Sequence, residues 1–468
     1  MTIFVTVTPK PGWPGLLDGT QGPITLGTFI LHPGKGRPMS RRVAYLNARL
    51  LDPATGLDSP GALLTEGPLI ADFGPGLFAD GVPEGIETID LSGLCLAPGL
   101  VDMRVAVGEP GGEHKETLLS LSQAAAAGGV TALACLPNTD PPLDSVSGIE
   151  FIARRAREVK LVKVFAQAAL TRGIQGKELT EMGLLAEAGA VAFTDGSRAV
   201  ASAQVMSRAL SYSTAFDLMV VQHPEEPTLA GGVMNRGEVA TRLGLVGISP
   251  VAEVIMVERD LRLAEQTGAR YHVAHVSTAA AIDAIRQAKR RGLNVTCDTA
   301  PHYFSLTEVD VGTYRTFAKV SPPLRSDGDR RAVVAGLADG TIDAIASDHA
   351  PHDQDSKRVP FAQAAFGVVG LETLLPLTLA LVHKGQLPLM VALRALTCRP
   401  AELLKRPLGR LRRGGPADLL VFDLDRPWQV DVAAFRSKSK NSPFDGLPVA
   451  GRAVRTIVDG RTVFHSEA

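Results

Sequence analysis

Cysteine is scarce in this chain. The four residues Cys95, Cys135, Cys297 and Cys398 stand far apart, with no C-x-x-C and no zinc-finger spacing. That excludes a disulfide framework and a thiolate metal cluster, and fits a reduced interior. An excess of charge is missing as well: 48 Lys and Arg face 49 Asp and Glu, so nothing marks the chain for nucleic acid or for an anionic membrane surface. Long apolar runs are also absent. No stretch reaches the about 18 continuous apolar residues of a membrane span, and no basic segment followed by an apolar one opens the sequence. These absences lead to the expectation of a cytoplasmic protein that engages neither nucleic acid nor membrane.

What is present is an ordinary globular composition, 45% hydrophobic over 468 residues, enough for one large domain and a smaller one. Residues 1–40 are rich in Gly and Pro, lack sustained periodicity and read as a loose N-terminal extension. Met39, followed by Ser-Arg-Arg, is an alternative start. Residues 41–94 show short alternating stretches such as VAYLNARLLD and GALLTEGPLIADFG, the pattern of small antiparallel strands. The same texture returns over 406–468, in ADLLVFD and VRTIVDGRTVF, and the two ends are expected to pair as one small β-domain.

Over 95–405, apolar runs alternate with helical stretches rich in Ala, Leu and Arg. Eight runs are recognisable: CLAPGLVDMRVAV, VTALACLPN, VKVFAQAAL, AVAFTDG, LMVVQHPEE, ARYHVAHVST, NVTCDTAPHY and IDAIASDHAPH. Continuous apolar strands separated by helices imply a parallel sheet buried on both faces, and this number of them suits an α/β fold of the (β/α)8 barrel type. Most runs end in a polar group: Asn138, Asp195, His223, His275, His302 or Asp348. Chemistry in such barrels sits at the C-terminal strand ends, so these six side chains are expected to converge on one mouth.

The wording of the sequence resembles the dihydroorotases of the amidohydrolase superfamily from about Arg41 to Phe464. The most specific pieces are EHKET (from Glu113), PNTDPP (from Pro137), GGVMNRG with LGLVGI (from Gly231), TGARYHVAHVST (from Thr267), ASDHAPH (from Ala346), GLET (from Gly370) and SKSKNSPF (from Ser437). The resemblance implies a barrel flanked by a small β-sandwich formed from both chain ends. It also implies interconversion of dihydroorotate and carbamoyl aspartate in pyrimidine synthesis. The family's two-metal site uses a first-strand His-x-His, a bridging acid, two later histidines and an eighth-strand Asp. Carried over, the later pair falls on His223 and His275, the bridging acid on Asp195, and the eighth-strand Asp, which shuttles the proton as the catalytic acid–base, on Asp348. Asn138 and His352 match substrate contacts. Zn²⁺ held by imidazole and carboxylate ionises a water and polarises a carbonyl.

Three departures stand out. Arg104 and Ala106 occupy the His-x-His positions, and neither is a metal ligand: a guanidinium stays cationic and a methyl has no lone pair. Neither His32 nor His114 offers a shifted register. Gly108 stands where the family has a carboxylate-binding Arg, and Ser321 where it usually has a substrate-contacting Asn. A partial site of His223, His275 and Asp195 would hold one Zn²⁺; otherwise there is none, and a two-metal site is not expected. Arg104 is expected to point into the mouth and pair with Asp348, replacing the ion's charge. His272 and His349 are expected to be structural, and Lys438 and Lys440 a solvated face. The resulting expectation is a non-catalytic dihydroorotase-like scaffold for aspartate carbamoyltransferase that also self-associates. The other reading is an active dihydroorotase, or a related cyclic-amide hydrolase, with a reduced, single-metal site.

Overall fold

The computed structural model describes residues 41–466; the extension expected over 1–40 lies outside them. Strands from both ends of the chain share one eight-stranded sheet. Arg42–Asp52 pairs antiparallel with Leu57–Glu66 and parallel with Cys95–Pro98, which in turn pairs antiparallel with Leu419–Gln429. Pro448–Val458 and Arg461–His465 continue the sheet outward. Tyr45, Leu50, Leu63, Leu96, Leu419 and Ile457 from these strands meet in one buried apolar cluster. That shared core is the physical reason both ends of the sequence carry the same alternation.

Between the ends, parallel strands alternate with helices. Leu100–Val105, Val130–Cys135 and Lys163–Ala166 form one parallel set; Met219–Gln222, Arg270–Val273, Val295–Thr299 and Ala344–Ile345 form another. Leu100–Val105, Val130–Cys135 and Met219–Gln222 are buried throughout, as strands covered on both faces must be. The fourth expected run, AVAFTDG, is not a continuous strand. Phe193 makes parallel bridges to Ala168 and to Val220 and so joins the two sets. Another parallel bridge, Val105 to His349, ties the end of the last run to the first.

The helices start where the sequence provides caps. Thr117, Ser145, Ser202, Thr278 and Ser326 each precede a helix and accept a backbone N–H from its first turn, satisfying a donor that the helix itself leaves unpaired. In Ala279–Arg290, the buried residues Ala281, Ile282, Ile285 and Ala288 follow helical spacing and lay one face on the strands. Because the caps fix the helix starts, the polar residues between strand and cap are held in short loops. Among the described residues no helix is long and apolar enough to cross a membrane.

Candidate active site

Side chains two apart on a strand share a face, so Asp102 and Arg104 project together from Leu100–Val105. Asp102 is fully buried and accepts the N–H groups of Arg104 and Ser347, which locks the first strand end to the last. Burial pushes the Asp102 carboxyl up to about 7. Arg104 is also buried. Its Nε donates to Asp348 Oδ1 at 2.8 Å and its Nη2 to the Gly196 carbonyl at 3.2 Å, while Nη1 has no hydrogen-bond partner. Arg104 therefore points into the mouth and pairs with Asp348 as its position predicts.

The other side of Asp348 faces imidazoles. His275 Nδ1 approaches Asp348 Oδ2 at 3.2 Å and His302 Nε2 at 3.8 Å. Burial works against the Asp348 charge, but His275 and the permanently cationic Arg104 overcome it and hold the carboxyl well below the usual carboxylate range. His302 is pushed down to about 4, chiefly by burial. Burial also lowers His275, reinforced by the charge of Arg104. Both His275 and Asp348 sit at positive φ, 36° and 48°, a region that costs non-glycine residues free energy and that clusters at functional sites. The His275 N–H is held by Asp298 Oδ1 at 2.8 Å, which helps keep that backbone in place.

His223 bonds to His275 directly, Nδ1 to Nε2 at 2.8 Å, and its own Nε2 lies 3.1 Å from Glu225 Oε2. Ser321 Oγ also donates to Glu225. The result is one buried chain of contacts, Arg104–Asp348–His275–His223–Glu225–Ser321, crossing the mouth. Glu225 was not singled out from the sequence, although it lies two residues beyond His223 in QHPEE; a second acid in that loop was the available signal. Asn138 enters through its Nδ2, 3.3 Å from the Asp195 carbonyl. Arg104, Asn138, His275, Ser321, Asp348 and His352 line one cavity of about 390 Å³.

Asp195 does not join the histidines as a ligand. Its carboxylate accepts the Thr171 N–H at 2.8 Å and the Thr171 hydroxyl, so the expected set of His223, His275 and Asp195 is not assembled. The two imidazoles spend their facing nitrogens on each other. Among the described residues no three His, Cys, Asp or Glu side chains are disposed to hold a metal ion. The donor set present thus does not fit the metal centre implied by the resemblance.

Other motif residues build the walls. His272 bonds to Thr296 and Asp298, and His349 lies between the Gly370 N–H and Glu116; both are structural. Glu116 of EHKET is fully buried and accepts from Ser437 and the Lys438 N–H of SKSKNSPF, which joins two motifs over 300 residues apart. Lys438 is exposed, as expected of a solvated face, with its amine donating to the Glu113 carbonyl, whereas Lys440 is half-buried and donates to the Phe435 carbonyl. A Cβ on Gly108 would lie 2.2 Å from the Glu116 carbonyl oxygen, so the wall leaves no room for an Arg there.

The solved L-hydantoinase (dihydropyrimidinase) from Arthrobacter aurescens superposes with a TM-score of 0.81 at 28% identity, covering 91% of this chain and 96% of that one. A dihydropyrimidinase from Brevibacillus agri shares the fold at a TM-score of 0.77 and 20% identity, with 91% and 95% covered. The chain therefore has the fold of these solved hydantoinase and dihydropyrimidinase structures. A family model described as dihydro-orotase-like matches residues 93–281. The dihydroorotase of a Wolbachia strain from Brugia malayi is 48% identical over 92% of this chain and 97% of its own length, and that of Pelobacter propionicus is 48% identical over 89% and 98%. The chain belongs to the dihydroorotase family. This similarity overturns the expectation of a non-catalytic scaffold, which rested on Arg104, Ala106, Gly108 and Ser321: chains alike over nearly their whole length are named for the enzyme, and the site remains a connected, polar cavity.

Proposed function

We propose that this chain is an active dihydroorotase of pyrimidine biosynthesis, interconverting dihydroorotate and carbamoyl aspartate. The observation that carries the reading is the cavity at the strand ends, in which a carboxylate (Asp348), a cation (Arg104) and neutral hydrogen-bonding groups (Asn138, His352, Ser321) face one small volume. Ring opening adds water to the ring amide carbon, breaks the C–N bond and delivers a proton to the leaving nitrogen. A carboxylate within reach of both atoms serves that transfer, and this is the role given to Asp348. Buried polar atoms without partners on residues that line this cavity, Arg104 Nη1 and His352 Nδ1, are what a polar ligand would satisfy. The supporting framework is proposed to be a closed (β/α)8 barrel that begins at Leu100–Val105 and runs to about 405, with a β-sandwich assembled from both chain ends; the expected boundary at 95 moves, because Cys95–Pro98 pairs within the terminal sheet.

Expression in a bacterium deleted for its own dihydroorotase tests the reading. The chain is expected to restore growth without uracil, and Asp348→Asn to fail at equal soluble expression. No growth with the unaltered, soluble chain rejects it. Association with aspartate carbamoyltransferase, whose product is the carbamoyl aspartate consumed here, is a separate proposal together with self-association. Co-elution on gel filtration supports it and separate elution overturns it.

A further inference from the structure

A divalent ion in this mouth would supply two things: positive charge beside Asp348, and an electrophile for a substrate oxygen. Arg104 already stands in the first of these places. Arg104 is 2% exposed, its Nε is bonded to Asp348 at 2.8 Å, and a guanidinium keeps its charge at any working pH. The surroundings are adapted to it. Gly196, at φ +67°, presents its carbonyl to Arg104 Nη2 at 3.2 Å, and a Cβ there would lie 1.5 Å from Asn138 Oδ1. A side chain at 196 would thus displace either Asn138 or the carbonyl that holds the guanidinium. The histidines are committed too, His223 to His275 and Glu225. Among the cavity-lining groups, Arg104 Nη1 is a permanently charged donor that is buried and without a partner.

We propose that Arg104 stands in for the metal ion, its charge replacing the cation beside Asp348 and its Nη1 donating to an oxygen of the substrate, so that ligand binding in this mouth is independent of divalent metal. The oxygen-binding half rests on the dihydroorotase reading; the charge replacement does not. Both are tested on the purified full chain by measuring bound metal after incubation with zinc and desalting, and by calorimetric titration with carbamoyl aspartate with and without EDTA.

The expected result is well under one zinc per chain and an affinity unchanged by EDTA. Arg104→Met is expected to weaken binding roughly 10- to 100-fold, as loss of a charged hydrogen bond does, and Arg104→Lys, which keeps the charge without the fork, to fall between. If Arg104→Met unfolds, the double change Arg104→His and Ala106→His gives the second arm: it is expected to take up zinc and to make ligand binding sensitive to EDTA. Stoichiometric zinc in the unaltered chain, an affinity lost on adding EDTA, or Arg104→Met binding as tightly as the parent would overturn the proposal. If the unaltered chain binds no carbamoyl aspartate, the dihydroorotase reading and the oxygen-binding half fail together, while the zinc content still decides the charge replacement.

Discussion

Gly196 shows how closely the mouth is fitted to its replaced residues. At φ +67°, an Ala there carries the left-handed penalty of about 1 kcal/mol and also collides with the Asn138 amide. Gly196→Ala is therefore expected to cost roughly 1 to 3 kcal/mol of stability, read as a lower urea midpoint, and to weaken carbamoyl aspartate binding. Glu225 makes a second residue-scale case. It is buried between His223 and Ser321, and burial opposes its charge while His223 more than compensates, leaving the carboxyl below its ordinary range. Removing one member of such a buried set costs about 3 kcal/mol or more, so Glu225→Ala should show that loss in chemical denaturation; a change under 1 kcal/mol, the size of an exposed pair, would show that the chain of contacts carries little weight. Arg104 was legible from sequence because alternation along a strand fixes its direction. The roles of Asp195 and Glu225 were not, since the first is decided by Thr171 on another loop and the second by Ser321 almost 100 residues away.

At the scale of elements, the segment 352–367 forms one wall of the cavity through His352, Phe366 and Gly367. It is pinned by two buried lysines. Lys319 donates to the carbonyls of Phe361 and Ala362 and sits 4.4 Å from the centre of the Phe366 ring; Lys357 donates to Thr316 and Ala365. Burial pushes Lys319 down to about 8 and, helped by the charge of Lys319, Lys357 down to about 7. In the unfolded chain both titrate near 10.4. Between those limits the unfolded state binds more protons than the folded one, so their contribution to stability rises with pH from about 7 to about 10 and is flat below. Urea midpoints measured across that range should climb for the parent chain and climb less for Lys357→Met, whose segment should also exchange its amide hydrogens faster. Sequence gave no sign of these lysines, because a cation held by backbone carbonyls leaves no pattern in the residues that hold it. The strand runs, by contrast, were readable from their unbroken apolar character. The fourth departed from the pattern in length: Val191, Ala192 and Thr194 bond to the third run and Phe193 to Met219 and Val221 of the fifth, too few pairings on either side for a continuous strand.

For the whole molecule, the shared sheet binds the ends of the chain to the central strands. Lys163, at the start of a central strand, pairs with Asp418 at 2.5 Å and Asp459 at 2.9 Å, and Thr456 Oγ1 donates to the Ala126 carbonyl at 2.6 Å. A chain stopped after Asp445 would leave Leu419–Gln429 without its antiparallel partner Pro448–Val458 and Lys163 without one of its acids. Such a chain is expected to be insoluble or to lose its cooperative thermal transition by circular dichroism; a normal transition would show that the terminal sheet is dispensable. The two-ended sheet was foreseeable from matching texture, whereas the ion pairs joining it to the central strands depend on geometry alone.

The central claim is that this connected, arginine-bearing mouth still turns over its family's substrate. The most direct measurement is product formation by the purified chain in both directions, with Asp348→Asn as the control. Ring closure of carbamoyl aspartate takes up one proton and releases water, so the account predicts dihydroorotate accumulating at mildly acidic pH, carbamoyl aspartate at alkaline pH, and neither with the variant. A pure, folded chain that converts neither compound at any pH, or converts them equally well without the Asp348 carboxylate, would contradict it.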